Sequence, residues 1–383
     1  MINYGKQNIN EEDIEAVINV LKSDFLTQGP IIEQFEQKVA EYCGAKYAVA
    51  VSNATAALHI ACLSAGLKKN EVVWTSPNTF VASANCALYC GGKVDFVDIN
   101  ESTYNMDVTM LEEKLKNAEI KPKIVIPVHF AGQSCEMEKI YELSKKYGFK
   151  IIEDASHAIG ADYKNSKVGS CKYSDMTVFS FHPVKIITTG EGGMILTNSE
   201  KLYEKLKLYR SHGITRNKLL MKNNFDEPWY YEQIDLGFNY RITDMQAALG
   251  KSQMDRLDEF VDRRRVLAKQ YDELLKDTKV ITPYQDANTK SSWHLYVIKI
   301  DFQNINISKK ELFKLMKEKG IILNLHYIPV HTQPYYKNLG FEKGDFPVSE
   351  QYYKEVFTLP LYYSLTDEQQ DYIVTSLKEV LKS

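Results

Sequence analysis

The chain has 383 residues and a formal net charge of −3, and at this length two domains that share one site are the natural expectation. The slight excess of acidic residues argues against a nucleic-acid-binding protein, because phosphate contacts usually leave a basic surface. No apolar run is long enough to span a bilayer, and the acidic N-terminal residues lack the pattern of a secretory signal. We therefore expect a cytoplasmic protein with no membrane partner and no nucleic-acid partner.

The six cysteines include no CxxC pair. Cys86 and Cys90 are spaced so that they share one face of a helix, but two thiols alone do not make a zinc site. We expect reduced thiols that mostly serve as packing groups, and no metal site.

From the N-terminus to about residue 240, short β-branched runs alternate with helical patterns. This alternation predicts a mostly parallel sheet covered by helices. The candidate strands are KYAVAVS, EVVWTS, KVDFVDI, KIVIPVHF, KIIEDA, TVFSF and GGMILTN. Between them, segments such as ATAALHIACLSAGL and EMEKIYELSKKYG have apolar residues at helical spacing and a closing glycine.

A long, charged and periodic segment, RITDMQAALGKSQMDRLDEFVDRRRVLAKQYDELLKD, follows the predicted sheet. It predicts a connecting helix that begins after Thr243 or Asp244, either of which can cap a helix. Beyond it, WHLYVIKI, SKKELFKLMKEKG and IILNLHYIP predict a smaller α+β domain. The predicted division is a large domain of residues 1–245, followed by the connecting helix and a small domain in residues 246–383.

The stretch VSNATAALHI predicts a strand that ends near Val51, a polar turn and a helix that starts around Ala54. The unpaired N–H groups at such a helix start carry the positive end of the helix dipole, which suits a phosphate. Taken alone, these residues are also typical of an ordinary connection in which Asn53 or Thr55 is the helix cap.

The stretch IIEDASHAIG places Asp154 at the end of an apolar strand, where open α/β sheets present ligand-binding groups. A largely buried carboxylate there needs a cationic partner, and a protonated ring nitrogen would serve. His157 follows three residues later and would lie beside the same ring. Taken singly, Asp154 is also explained as a helix cap and His157 as a core histidine with its own partners.

The stretch FSFHPVKIITTGEGGMILTN supplies a third element at another strand end. Lys185 is either a solvated loop cation or a nucleophile at the mouth of a pocket. Ser180 is placed to donate to a phosphate, and the glycines after the lysine permit close backbone approach. A phosphate cradle, an acid for a ring nitrogen and a lysine that condenses with an aldehyde are the three requirements of an enzyme that uses pyridoxal 5′-phosphate (PLP). Their order across one α/β domain favours such an enzyme.

Over essentially its whole length, the chain resembles the sugar aminotransferases of the DegT/DnrJ/EryC1/StrS group. The matching stretches include LTQGPIIEQFEQKVAEYCGAKYAVAVSNATAALHIA, EDASHAIGADY, FSFHPVKIITTGEGG, LYRSHGI, LGFNYRITDMQAALG, HLYV and LHYIPVH. The resemblance implies an α/β protein of PLP-dependent transferase fold type I, like aspartate aminotransferase. In that fold, a large domain with a mostly parallel seven-stranded sheet precedes a smaller α+β C-terminal domain.

The resemblance also implies roles for the residues of the three motifs. Lys185 would form the Schiff base with PLP and move the proton between the amino donor and the cofactor, because desolvation lowers the pKa of a lysine and leaves a neutral amine. Asp154 would keep the ring nitrogen protonated, and His157 would lie near the ring hydroxyl. The phosphate would be bound by Ala54, Thr55 and Ser180.

Further site residues follow from the same resemblance. Phe80 matches an aromatic residue that stacks on the cofactor ring, although core packing would explain it equally well. Asn239 matches a residue that reaches the cofactor phosphate of the neighbouring subunit, which implies a homodimer with shared active sites; the alternative is a domain-junction turn. Arg210 is a candidate for anionic groups of the substrate, unless it forms an ion pair on a surface helix. The remaining expected substrate contacts are Tyr4, Thr27, Gln28, Gly29, His294, His326 and Tyr327.

Within the group, SFHPVKIITTGEGG and RSHGI are most similar to transaminases of pseudaminic acid biosynthesis. Those enzymes use L-glutamate to aminate C4 of a UDP-linked 4-keto-6-deoxy-N-acetylhexosamine. Transaminases for UDP-4-amino-4-deoxy-L-arabinose, or for dTDP- or GDP-linked sugars, are the next candidates. A dehydratase of the same fold would carry histidine in place of Lys185. A non-catalytic sensor of PLP or sugar nucleotides would be expected to lack Lys185 or Asp154, or to carry a DNA-binding module.

Overall fold

The structure, a computed structural model, describes residues 1–223 and 227–382. Its helices are α1 (Glu11–Leu21), α2 (Pro30–Cys43), α3 (Ala54–Ser64), α4 (Ala82–Tyr89), α5 (Val108–Asn117), α6 (Met137–Tyr147), α7 (Glu200–Arg210), α8 (Asp244–Met254), α9 (Leu257–Leu275), α10 (Lys309–Glu318), α11 (Pro334–Lys337), α12 (Pro347–Glu355) and α13 (Asp367–Lys382). Its strands are β1 (Tyr47–Val51), β2 (Val72–Thr75), β3 (Lys93–Phe96), β4 (Ile124–Ile126), β5 (Lys150–Asp154), β6 (Asp162–Tyr163), β7 (Ser166–Lys167), β8 (Met176–Ser180), β9 (Gly193–Thr197), β10 (Ile214–Thr215), β11 (Glu232–Gln233), β12 (Thr289–Lys290), β13 (Tyr296–Lys299) and β14 (Val356–Leu359).

The large sheet has seven strands in the order β1-β9-β8-β5-β4-β2-β3. All seven are the strands that the sequence predicts. Neighbouring strands are parallel except at β9, which runs antiparallel to both β1 and β8. The predicted fold class is therefore confirmed. Because the parallel strands point the same way, the residues that follow them meet at one edge of the sheet.

Helices cover both faces of this sheet, and in β8 successive side chains pack against helices on opposite faces. Val178 belongs to a core cluster that includes residues of α3 and α4. Its neighbour Phe179 belongs to a second cluster that includes residues of α2, α8 and α9. Successive strand side chains point to opposite faces, so a strand covered on both sides reads as a continuous apolar run.

The predicted connecting helix is two helices, so that prediction is wrong in its continuity. Thr243 is the N-cap of α8 and forms a capping box with Gln246, as the sequence allows. The helix ends at Met254, and Arg256 leaves the helical conformation with φ −109° and ψ 7°. A tertiary contact accompanies the break, because the Arg256 guanidinium binds the buried Asp13 carboxylate at 2.5 Å.

The position of α8 bears on the predicted domain division at residues 245 and 246. This helix packs against α1 and α2, on the large-sheet side of the molecule. The second region contains α9, α10, α13 and the antiparallel pair β13–β14, which share a separate core. The stretch IILNLHYIP, which the sequence assigns to the smaller domain, forms isolated bridges, one of them between Ile2 and Ile321. The division itself stays a prediction.

None of the helices in the described part of the chain is both long and apolar enough to cross a membrane. No group of three or more histidine, cysteine or acidic side chains in residues 1–223 and 227–382 is arranged to hold a metal ion.

Candidate active site

A cavity of about 1090 Å³ opens where the parallel strands end. Residues that end or follow β1, β2, β4, β5 and β8 line one side of it, and segments from the C-terminal region line the other. The predicted site residues that line this cavity are Tyr4, Ala54, Thr55, Phe80, Asp154, His157, Ser180, Lys185, His294, His326 and Tyr327. The structure thus brings together residues from distant parts of the sequence.

The predicted residues Thr27, Gln28 and Gly29 do not line the cavity. Thr27 forms an isolated bridge with Thr243, and the Gly29 N–H donates to Asp244 Oδ2 at 2.8 Å. This segment is therefore fastened to the start of α8, and the side chains of Thr27 and Gln28 are exposed.

Arg210 and Asn239 also lie outside the cavity lining. Arg210 Nη1 binds Glu36 Oε1 at 2.5 Å and donates to the Ala50 carbonyl at 2.9 Å. Its guanidinium is thus held by an ion pair, as the alternative from the sequence allowed, but the pair is largely buried rather than on a helix surface. Asn239 is exposed and directly precedes Tyr240, which does line the cavity.

The start of α3 forms one end of the cavity. Asn53 is the N-cap, and its side chain accepts from the Ala56 N–H at 2.8 Å. The N–H groups of Ala54 and Thr55 have no hydrogen-bond partner among the residues that the structure describes. Such a pair of unpaired donors, at the positive end of a helix, is suited to an anion.

Ser180 lies beside this helix start because of a glycine. Ser180 is paired with Gly193 in the β8–β9 register. A Cβ atom at Gly193 would lie 2.6 Å from the carbonyl carbon of Asn53 and 2.7 Å from the Ala54 nitrogen. Only glycine permits this approach, which brings the Ser180 hydroxyl to the same end of the cavity as the helix N–H groups.

Asp154 is buried at the end of β5. Its Oδ2 atom accepts from the Ser83 hydroxyl at 2.5 Å, and its Oδ1 atom accepts from the Ser156 N–H at 3.1 Å. No helix begins at Asp154, so the helix-cap alternative is wrong. Within the described ranges it forms no ion pair, so two hydrogen bonds orient a carboxylate that lacks a cationic partner.

Ser83 is a residue that the sequence interpretation missed. Its hydroxyl lies 2.8 Å from that of Thr79 as well as close to Asp154. The signal was a serine in the short alanine-rich helix ASANCALY, directly after the polar turn that follows β2. The contact itself joins α4 to the end of β5 and exists only in the folded chain.

Lys185 faces the cavity from the turn that follows β8, and its side chain is partly buried. Burial lowers the pKa of its amine from 10.5 to about 8, although the nearby Asp154 carboxylate acts in the opposite direction. A substantial fraction of the amine is therefore neutral near physiological pH. A neutral lysine amine is a nucleophile and a base.

Three buried histidines, His157, His294 and His326, surround the lysine side of the cavity. Burial lowers the pKa of His157 and His294 well below 6.5 and that of His326 to about 3, and the charge of Lys185 adds to each effect. All three rings are therefore uncharged at neutral pH. The rings of His157 and His294 lie 4.4 Å apart, centroid to centroid.

The contacts of His157 fix its tautomer. The Ala131 N–H donates to Nδ1 at 3.3 Å, so we assign the ring hydrogen to Nε2. That atom lies 3.1 Å from the Tyr327 hydroxyl, to which it donates. His157 thus has two partners of its own, as the sequence alternative allowed, and it also lines the cavity.

Phe80 is 59% exposed and lies on the cavity wall. Its ring centroid is 6.4 Å from that of Tyr327. The alternative that Phe80 is a core residue is therefore wrong. An exposed aromatic face beside Asp154 and Lys185 is suited to cover a planar ring.

These groups fit PLP. The cofactor has a phosphate, and the cavity has unpaired donors at one end. Its pyridine nitrogen needs an acid, and Asp154 is a buried carboxylate without an ion-pair partner in the described ranges. Its aldehyde needs a neutral amine, and Lys185 has a pKa of about 8.

The family model described as the DegT/DnrJ/EryC1/StrS aminotransferase family matches residues 7–378. Among curated relatives, the UDP-4-amino-4,6-dideoxy-N-acetyl-beta-L-altrosamine transaminase of Campylobacter jejuni is 37% identical, covering 100% of this chain and 98% of its own. The spore coat polysaccharide biosynthesis protein SpsC of Bacillus subtilis is also 37% identical, covering 99% of this chain and 97% of its own.

Solved structures agree with this match. PseC of Helicobacter pylori, an aminotransferase involved in the biosynthesis of pseudoaminic acid, superposes with a TM-score of 0.91 at 32% identity, covering 100% of this chain and 99% of its own. The PLP form of Spr1654 from Streptococcus pneumoniae superposes with a TM-score of 0.89 at 27% identity, covering 99% of this chain and 98% of its own. The similarity spans essentially the whole chain.

Proposed function

We propose that this chain, which belongs to the DegT/DnrJ/EryC1/StrS aminotransferase family, transfers the amino group of L-glutamate to C4 of a UDP-linked 4-keto-6-deoxy-N-acetylhexosamine. The chain is a PLP-dependent sugar aminotransferase. The observation that carries the reaction is the convergence of Lys185, Asp154 and the start of α3 on one cavity. The acceptor is supported by the Campylobacter jejuni relative, and the product would be a UDP-4-amino-4,6-dideoxy sugar of pseudaminic acid-type biosynthesis.

When bound, PLP withdraws electrons from the carbon that carries the amino group. Lys185 would bind the cofactor aldehyde and then, as a free amine, carry the proton to and from the reacting carbon. Asp154 would hold the ring nitrogen in its protonated form. The Ser83 hydroxyl and the Ser156 N–H would orient that carboxylate, since each donates to one of its oxygens.

At the other end of the cavity, the N–H groups of Ala54 and Thr55 and the Ser180 hydroxyl would bind the phosphate. Phe80 would cover one face of the ring, and His157 would lie near the ring hydroxyl. The uncharged state of His157 follows from its burial and from the charge of Lys185, both of which lower its pKa.

For the substrates, we propose contacts from the cavity-lining residues Tyr4, His294, His326 and Tyr327. The exposed segment from Thr27 to Gly29 would contribute only from outside this cavity. We do not propose Arg210 as a substrate contact, because Glu36 and the Ala50 carbonyl already bind its guanidinium.

We also propose a homodimer with shared active sites. Asn239 is exposed, and the adjacent Tyr240 carbonyl accepts from the Ser52 N–H at 2.8 Å, next to the start of α3. From this position Asn239 would reach the cofactor phosphate of a second copy. Mixing Lys185→Ala subunits with Asn239→Ala subunits should restore fewer sites than wild type but more than either variant alone. A monomeric, fully active enzyme would contradict shared sites.

The Bacillus subtilis relative favours a second candidate acceptor. Its identity to this chain equals that of the Campylobacter jejuni transaminase, yet its name assigns it to spore coat polysaccharide biosynthesis. A different nucleotide-linked 4-keto sugar would then be the acceptor, with the same lysine and the same amino donor.

A substrate panel distinguishes these acceptors. The PLP-loaded protein would be offered UDP- and dTDP-linked 4-keto sugars with L-glutamate, and formation of 2-oxoglutarate would be followed. We expect the highest kcat/KM for the UDP-linked 4-keto-6-deoxy-N-acetylhexosamine. A higher value for another sugar would replace the proposed acceptor, and glutamate-dependent conversion of none of them would contradict the proposed reaction.

A further inference from the structure

Arg264 on α9 is a fully buried cation without a carboxylate partner in the described part of the chain. Its Nη1 atom donates to three backbone carbonyl oxygens, those of Trp293 (3.3 Å), His294 (3.2 Å) and Leu361 (2.9 Å). Burial lowers its pKa to about 10, so it is still charged at neutral pH. Among the residues that the structure describes, its positive charge faces carbonyl dipoles rather than a carboxylate.

The segment that Arg264 holds has a strained backbone. Trp293 has φ 52°, in the left-handed region that a bulky residue rarely adopts. The two carbonyls that Arg264 binds here belong to Trp293 itself and to the next residue. The neighbouring Ser292 hydroxyl donates to the His157 carbonyl at 3.1 Å. These contacts fasten a segment of the C-terminal region to the cavity wall.

A glycine makes the fastening possible from the other side. The Gly132 carbonyl accepts from the Ser292 N–H at 3.2 Å, and the Ala131 carbonyl accepts from the Leu295 N–H at 3.3 Å. A Cβ atom at Gly132 would lie 2.8 Å from the Ser292 hydroxyl and 3.0 Å from the His294 nitrogen. The backbone around His294 is therefore held from both sides.

The result of this arrangement is the position of the His294 ring. It lies in the cavity wall beside His157. Its Nδ1 atom is buried and has no hydrogen-bond partner in the described ranges. An N–H buried without a hydrogen-bond partner costs more free energy than a ring nitrogen whose lone pair is buried without one. We therefore assign the ring hydrogen to Nε2 rather than to Nδ1. The neutral ring then offers one N–H donor, next to a buried positive charge.

The chemistry of the two substrates indicates which substrate group would accept a hydrogen bond from the His294 N–H. In either half-reaction, the reacting carbon has to come within reach of Lys185. Only the amino donor carries an anionic group bonded directly to that carbon, its α-carboxylate. The anionic diphosphate of the sugar nucleotide is attached at C1, on the opposite side of the sugar ring from C4. The His294 N–H, which lies near both Lys185 and the buried positive charge of Arg264, is therefore suited to bind the α-carboxylate.

We propose that His294 binds the α-carboxylate of the amino donor and that Arg264 is the positioning residue that holds His294 for this contact. The inference rests on the proposed function as an aminotransferase but not on the identity of the sugar. Recognition of the amino donor would then be built into the C-terminal region of the chain that supplies Lys185.

The test measures the two half-reactions separately in Arg264→Met and Arg264→Lys. Arg263→Met is the matched control, because Arg263 lies on the same helix and binds Asp367 and the Leu365 carbonyl instead. In Arg264→Met, we expect KM for L-glutamate to rise about tenfold or more, and the keto-sugar half-reaction of protein preloaded with aminated cofactor to change less than about twofold. Arg264→Lys should recover part of the loss.

Equal losses in both half-reactions, or unchanged KM for glutamate in Arg264→Met, would overturn the positioning role. Because a buried arginine is hard to replace, His294→Phe provides a second test that keeps an aromatic ring in place. The wild type should prefer L-glutamate over 4-aminobutyrate, which lacks the α-carboxylate, and this preference should fall about tenfold in His294→Phe. An unchanged preference would overturn the contact.

A binding measurement separates this inference from the proposed acceptor. 2-Methyl-L-glutamate keeps the carboxylate but lacks the hydrogen on the reacting carbon, so it can be titrated calorimetrically into PLP-loaded protein. We expect it to bind His294→Phe about tenfold more weakly than wild type. If the wild type binds it about tenfold more tightly than His294→Phe but converts no UDP-linked sugar, the proposed acceptor fails and the donor contact stands. Equal binding to both proteins contradicts the contact whatever the sugar.

Discussion

Two regions of the molecule differ in how they arrange the predicted site residues. One is the edge of the sheet where the parallel strands end, and the other consists of the outlying segments at residues 27–29, 210 and 239. At the sheet edge, Asp154, Ser180 and Lys185 line one cavity although they belong to different strand ends. The outlying residues lie beyond it, bound elsewhere like Arg210 or exposed like Asn239. Parallel strands bring their ends together within one chain, whereas the geometry of the sheet does not determine where the outlying segments lie.

Replacing the lysine is expected to have the largest effect. Lys185→Ala removes both the amine that binds PLP and the base at the reacting carbon, so kcat should fall by about a thousandfold or more. Steady-state kinetics with glutamate and the preferred keto sugar measures the loss. Lys309→Ala is the control, because burial also lowers the pKa of Lys309 to about 8 but that residue is absent from the cavity lining. Similar losses in both variants would contradict the special position of Lys185.

Removing the charge at the end of β5 should have the next largest effect. Asp154→Asn keeps the shape but no longer favours a protonated ring nitrogen, so kcat should fall about a hundredfold. Ser83→Ala removes one hydrogen bond to the carboxylate and should cost less, about threefold to tenfold. The same kinetic assay ranks the two variants. A Ser83→Ala variant slower than Asp154→Asn would reverse the proposed order.

The capture of PLP by cofactor-free protein should depend on pH through Lys185. Because burial lowers the pKa of this amine to about 8, its reactive neutral form is lost as the pH falls through that value. Stopped-flow mixing with PLP should show a rate that rises about tenfold from pH 7 to pH 9 and then levels off. An amine with its ordinary pKa would give a rate that still rises steeply at pH 10.

The direction of a shift in this profile provides a further check. The Asp154 carboxylate raises the pKa of Lys185, so the midpoint of the capture profile should move to lower pH in Asp154→Asn. A midpoint that stays in place would mean that the two groups do not interact.

The smallest effect on activity is expected at Arg210. Arg210→Met leaves the largely buried Glu36 carboxylate without its cation, so the free energy of unfolding should fall by about 1–3 kcal/mol. KM for the keto sugar should stay within about twofold. Urea unfolding and steady-state kinetics measure the two quantities, and the double variant with Glu36→Leu should regain stability. A higher KM for the keto sugar with an unchanged free energy of unfolding would instead indicate that Arg210 contacts the substrate in a dimer.

Most of the large sheet could be predicted from the sequence, because each strand is a short apolar run bounded by polar turns. The break between α8 and α9 could not, since apolar periodicity continues across it and the compensating contact between Arg256 and Asp13 joins residues far apart in sequence. Helix caps such as Thr243 are local signals and were within reach.

The candidate site divides in a similar way. Asp154 ends one apolar strand and Lys185 lies in the turn after another, so the position of each is evident from its surroundings in the sequence. Ser83 and Arg264 are invisible at that level, because their importance lies in contacts with Asp154 and with the backbone around His294. The pKa of Lys185 likewise depends on burial that only the folded chain provides.

The most direct test of the account is to locate the lysine that holds PLP. The PLP-loaded protein would be reduced with borohydride, digested and analysed by mass spectrometry, with Lys309 as the internal comparison because its pKa is also about 8. We expect the pyridoxyl group to be attached to Lys185 at close to one group per chain and Lys309 to be unlabelled. Attachment mainly to Lys309, or to several surface lysines with Lys185 unmodified, would contradict it.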